Sequence, residues 1–154
     1  MLREKIKIDL KTAMKAGDKT RVSTIRLLLA AIKDKDIATK SNLDSDNGIN
    51  DSGVLELVNK MLKQRTETAE TYRNAGRIDL ADKESLEAKI LKEYLPEQLT
   101  GIELNKVVDD MIDKCSAKTM REMGKVMNEL KENFSGRCDF QVASKLVREK
   151  LMKN

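Results

Sequence analysis

Residues 93–103 read Glu93-Tyr94-Leu95-Pro96-Glu97-Gln98-Leu99-Thr100-Gly101-Ile102-Glu103, and they divide the chain. Pro96 is its only proline. Proline has no amide proton to give a helix and pushes the residue before it out of the helical region. A helix arriving from upstream has to stop here. Just beyond, Thr100 and Glu103 stand at the spacing of a capping box, in which hydroxyl and carboxylate satisfy orphan amides at a helix start. A new helix therefore opens at Thr100.

Upstream, the apolar periodicity is helical throughout. Ile6, Leu10 and Met14 mark a helix over about Leu2 to Ala16, stopped by Gly17, with Asp18 as the next N-cap. A second helix runs from about Lys19 to Thr39, with Val22, Ile25, Leu29 and Ile32 on one face. The polar stretch 41–53, SNLDSDNGINDSG, reads as a mobile surface loop. A third helix spans about Val54 to Ala75 and ends at Gly76. Arg65 falls in register with its apolar stripe and so requires a partner. Arg73 and Arg77 flank that turn, where capping and ion pairing with Asp79 and Asp82 is the simplest reading. A fourth helix covers about Asp79 to Tyr94. Downstream, the Thr100 helix continues to about Cys115. Thr119 and Glu122 form a second capping box, for a helix to about Asn133. Asp139 caps a last helix to about Met152. The expected fold is all-α and multihelical: a four-helix domain over 1–95 and a three-helix bundle over 97–154.

What the chain lacks narrows its chemistry. It has no histidine, which removes Ser-His-Asp and Cys-His catalysis and every histidine-bearing metal site. No glycine-rich phosphate loop follows a strand pattern. Cys115 and Cys138 form no CxxC pair, and no general base accompanies either one. They read as free thiols of a reduced, cytoplasmic protein. The longest apolar run, Leu27 to Ile32, is far too short to span a bilayer. The carboxylates Asp109, Asp110 and Asp113, or Glu84 and Glu87, sit among lysines and read as solvated helix faces. No catalytic residue, cofactor or metal is expected.

Charge is distributed unevenly. Residues 1–40 carry 11 Lys/Arg against 5 Asp/Glu, residues 41–113 carry 9 against 16, and residues 114–154 carry 10 against 5. Basic ends suit a polyanion such as RNA, although basic and acidic segments of one fold also complement each other. In the C-terminal end, Gly124-Lys125 and Gly136-Arg137 stand out. A glycine within a helix costs roughly 0.5–1 kcal/mol relative to alanine, so Gly124 should serve close backbone packing or the approach of a ligand. With Lys131, Lys145, Arg148 and Lys150, these pairs form a candidate phosphate-facing surface. Only two Phe and two Tyr are present, so base stacking is excluded and contact would be to backbone and shape. A second candidate basic patch comprises Lys15, Lys19, Arg21, Arg26 and Lys33. Arg26 and Lys33 lie about 60–80° from the centre of the Val22/Ile25/Leu29/Ile32 face, where long cations flank a core. There they could pair with acids or line a groove.

The chain resembles the GatB/YqeY family. The likeness is carried by Met14-Lys15, Asp18-Lys19, Arg21, Ser23-Thr24 and Arg26-Leu27-Leu28 near the start. Lys63-Gln64-Arg65, Ala75-Gly76-Arg77 and Glu93-Tyr94-Leu95-Pro96 carry it in the middle, and Met123-Gly124-Lys125-Val126-Met127 and Gly136-Arg137 at the end. The resemblance implies two helical domains, the second similar to the tail of the B subunit of the glutamine-dependent tRNA amidotransferase, a carbon-nitrogen ligase. That enzyme converts Asp-tRNA or Glu-tRNA to Asn-tRNA or Gln-tRNA, and its tail helps hold the tRNA. Stand-alone members lack its kinase-like catalytic domain and its amidase subunit. The resemblance therefore implies a tRNA-binding or amidotransferase-associated accessory protein with no catalysis of its own. The alternative is a protein–protein adaptor touching amidotransferase subunits or other translation proteins, with no direct RNA role.

Overall fold

A computed structural model describes residues 1–42 and 48–153. All regular structure among them is helical, so the chain is all-α and multihelical. It divides into two compact units, Met1–Leu95 and Pro96–Asn154.

The first unit holds α1 (Leu2–Ala16), α2 (Lys19–Asn42), α3 (Asp51–Asn74) and α4 (Ile78–Lys92). Gly17 closes α1 in the left-handed conformation at φ 70°, and Asp18 accepts the Arg21 amide at the start of α2. α2 runs three residues past Thr39, and α3 begins three before Val54. Asn50 caps α3 by accepting the Gly53 amide at 2.9 Å. The expected loop over 41–53 is thus helical at both ends, because Asn50, Asp51 and Ser52 are a cap and first turn rather than loop. Its centre, 43–47, lies outside the described residues.

The core of this unit is aliphatic: Ile6, Ile25, Leu28, Val54, Val58 and Leu91 are all inaccessible to solvent. α2 buries Thr24, Ile25, Leu28 and Ile32, while Val22 and Leu29 are half-buried. Its inner face is therefore rotated from the expected one. Thr24 explains the difference. Its hydroxyl donates to Thr20 O at 2.8 Å, and a threonine satisfied within its own helix can be buried.

Long-range polar ties close the unit. The Arg3 guanidinium grips both Asp36 oxygens, at 2.6 and 2.7 Å, and also donates to the Ile49 carbonyl. That fork, with the Ile49 amide, lowers the Asp36 carboxyl to about 2. Tyr94 donates to Asp9 at 2.8 Å, and its hydroxyl is pushed up by burial and by that carboxylate. Arg65 finds the partner its register demands: Nη1 lies 3.1 Å from Glu84 and 2.9 Å from Glu87. Arg73 and Arg77 approach Asp82 and Asp79 at 4.0 and 3.9 Å on the surface.

The second unit holds α5 (Gly101–Lys114), a 3₁₀ turn (Met120–Glu122), α6 (Met123–Asn133) and α7 (Phe140–Met152) around Val108, Val126, Leu130, Ala143 and Val147. Both expected capping boxes are present, at Thr100/Glu103 and Thr119/Glu122. Asp139 caps α7 by accepting the Gln141 amide. Just past the end of α5, Ser116 is a non-glycine residue at φ 51°.

Candidate nucleic-acid interface

The turn after α6 takes its shape from Gly136, at φ 73°, where a Cβ would be strained. The Arg137 amide closes it by donating to Phe134 O at 3.1 Å. Residues 97–99 are laid along this turn. The Leu99 amide donates to Arg137 O at 2.8 Å, and the Gln98 side chain donates to Gly136 O. The Arg137 Nε donates to Glu97 O at 3.1 Å, and its guanidinium lies 5.7 Å from the Phe134 ring centroid. Gly136 is buried, so it does not itself face a ligand. Arg137 is half-buried, and its terminal amino groups have no partner among the described residues.

Gly124 is different. It is exposed on the first turn of α6, and a Cβ added there would meet nothing within 4 Å. Close packing by this chain's own described residues therefore does not account for a glycine here. Counting 100° per residue, Gly124, Asn128 and Lys131 share the outward face of α6, with Lys125 at its border. Lys145 and Arg148 stand three apart on the exposed side of α7. None of Lys125, Lys131, Lys145 and Arg148 forms a salt bridge among the described residues. Lys114 and Lys150 are committed, to Glu129 at 2.8 Å and to Asp109. The expected phosphate surface thus separates into free cations on α6 and α7, a half-committed Arg137, and Lys150, which is paired.

The N-terminal patch separates in the same way. Arg21 makes a two-pronged pair with Glu93 at 2.7 and 3.0 Å, which holds that carboxyl below its ordinary range. Lys15 and Lys19 flank the turn between α1 and α2 and are exposed, as are Arg26 and Lys33. With Thr24, Ile25, Leu28 and Ile32 as the buried face, Arg26 and Lys33 lie about 125–145° from its centre. They point outward rather than flanking the core.

The carboxylates read as solvated are not all so. Glu87 is 5% exposed and Glu84 half-buried, because Arg65 on α3 draws both inward across the α3–α4 contact. Beside them Met61, Gln64, Arg65, Thr68 and Glu84 line an open cavity of about 460 Å³. Cys115 and Cys138 are buried and form no disulfide among the described residues, and burial pushes the Cys138 thiol up, away from nucleophilic thiolate. No cluster of three or more metal-ligating side chains occurs among the described residues. No helix among them is long and apolar enough to cross a membrane.

The chain is similar to known proteins along nearly its whole length. A family model described as Yqey-like protein matches residues 3–151. Three relatives are named "Altered inheritance of mitochondria protein 41, mitochondrial". That of Eremothecium gossypii is 37% identical over 90 residues, covering 58% of this chain and 46% of that protein. That of Pyrenophora tritici-repentis is 28% identical over 148 residues, covering 94% of this chain and 78% of that protein. One from Saccharomyces cerevisiae is 30% identical over 136 residues, covering 88% and 69%. The chain thus spans about half the length of some curated relatives and over two thirds of others.

Proposed function

The chain belongs to the YqeY-like family, and we propose that it is an accessory protein that holds tRNA by backbone and shape, in association with tRNA amidotransferase or another translation factor. The observation that carries this reading is the division of cations in the second unit. Lys125, Lys131, Lys145 and Arg148 stand exposed and outside every salt bridge of the described residues, beside a glycine that leaves the start of α6 bare. Phosphates compete well for cations of this kind, and each one neutralised releases counterions. With two Phe and no Tyr or Trp in this unit, bases have almost nothing to stack on, so the contact is to the sugar–phosphate backbone. The lack of histidine and the burial of both thiols favour holding over transforming. These relatives are named as mitochondrial proteins, and two buried thiols outside any disulfide suit a reducing compartment. We therefore place this chain where translation proceeds under reducing conditions, in a cytoplasm or within a mitochondrion.

The test is a titration of unfractionated tRNA at several salt concentrations. The expected affinity falls steeply with salt, and each of Lys125→Glu and Lys131→Glu lowers the log–log slope by about 1. No binding at low salt, or slopes unchanged in both variants, overturns the reading.

A further inference from the structure

The outer face of α2 carries a pattern that RNA binding does not use. Lys19, Arg26, Lys33 and Lys40 recur every seven residues, so on a helix they stand about 10.5 Å apart along some 31 Å. A seven-residue repeat drifts only about 20° per step, so the four form one slowly winding row. All four are exposed. Arg26 and Lys33, at the centre of the row, form no salt bridge among the described residues. Beside the row run Ser23, Leu27, Ala30, Asp34 and Ile37, spaced alternately four and three. This is the seam spacing of a coiled coil, and the cations occupy the positions that flank such a seam. The seam faces away from the core: Leu27 is 48% exposed and Ile37 is 59% exposed. Ser23 and Ala30 are small enough to let another backbone approach.

We propose that this face docks an acidic amphipathic helix of a partner protein, its apolar seam on Leu27, Ala30 and Ile37 and its carboxylates opposite Lys19, Arg26, Lys33 and Lys40. Charge complementarity selects that occupant. An antiparallel second copy of α2 would bring the same row of cations against this one, where like charges repel, and a parallel copy would set the row opposite Thr24, Ala31 and Ala38, which offer it no carboxylate. An RNA backbone would satisfy the cations but would set phosphates against exposed Leu27 and Ile37, burying no apolar surface in return. Asp34, polar within the seam, is the kind of residue that sets register at some cost in affinity. The proposal goes beyond the RNA reading, which places its contacts on α6 and α7.

The test uses the full chain and labelled synthetic peptides of three heptads, followed by fluorescence anisotropy at physiological salt. One peptide has leucine at seam positions and glutamate at flanking positions. A second has the same charge with serine in the seam. The seamed acidic peptide is expected to bind at least tenfold tighter than the seamless one. Leu27→Glu with Ile37→Glu should abolish the difference. Arg26→Glu with Lys33→Glu should weaken binding at least tenfold, and a seamed peptide with lysine at its flanks should restore it. All four positions are exposed, and unchanged thermal melts confirm that the variants fold. Equal binding of the two peptides, or no rescue by the charge-swapped one, overturns the proposal. So does a result in which Arg26→Glu with Lys33→Glu costs tRNA affinity while peptide binding is unchanged, which would assign the face to RNA.

Discussion

Gly124-Lys125 and Gly136-Arg137 look alike on paper, each a glycine followed by a cation near the C-terminus. In the fold they have opposite tasks. Gly136 is buried, bends the chain through a left-handed turn, and offers its carbonyl to Gln98. Gly124 is helical, exposed and surrounded by open space. Arg137 spends Nε on the Glu97 carbonyl, whereas Lys125 forms no salt bridge among the described residues. One pair makes the unit hold together; the other is left over once the unit is made. A residue that stability does not require is the better candidate for contact with something outside.

The largest expected effect breaks the pairs apart. Gly136→Ala forces a Cβ into a left-handed position and should cost about 1–2 kcal/mol. Gly124→Ala removes backbone freedom from an exposed helical site and should gain up to about 0.5–1 kcal/mol. Urea melts measure both, and equal effects would erase the distinction. Arg137→Ala should cost about 1 kcal/mol through the Glu97 bond, whereas Lys125→Ala should stay within about 0.5 kcal/mol. The same melts, set beside tRNA titrations, should show Arg137→Ala lowering both stability and RNA affinity and Lys125→Ala lowering affinity alone. A further substitution extends the rule to a third site. Ser116 adopts φ 51° without being glycine, so Ser116→Gly should raise the urea midpoint, by about 0.5–1 kcal/mol in stability.

The same contrast explains what could be read beforehand. Thr100/Glu103, Thr119/Glu122, Asp139, Gly17 and Pro96 act within a few residues of themselves, and each local rule identifies its helix end to within about three residues. Thr24, Glu84, Glu87 and Gln98 were opaque because their partners decide their fate. Thr24 goes inside since its hydroxyl is satisfied at Thr20, although the helix-period pattern counts it as polar. Glu84 and Glu87 turn inward because Arg65 waits on another helix, some 20 residues away. Arg65 was legible as needing a partner, and that partner was among acids read as solvated. Gln98 carried no signal: its acceptor, Gly136 O, is 38 residues further on. For the candidate site, the cation-rich ends were visible in composition. Which cations the fold had already claimed, Arg21 and Lys150 among them, was not.

Tyr94, held against Asp9 in the core of the first unit, gives the molecule a lopsided optical character. The chain has two tyrosines and no tryptophan, and the other tyrosine, Tyr72, lies on α3. Both tyrosines thus belong to Met1–Leu95, and under excitation that selects tyrosine the unit proposed to meet tRNA is dark. Tyrosine emission reports the melting of the first unit alone, while helical ellipticity reports both. Where the two units are separate domains the two melting curves part, and their separation measures the stability of the dark half. A tryptophan in place of Ile102, which is 86% exposed at the start of α5, would light that half without touching its core.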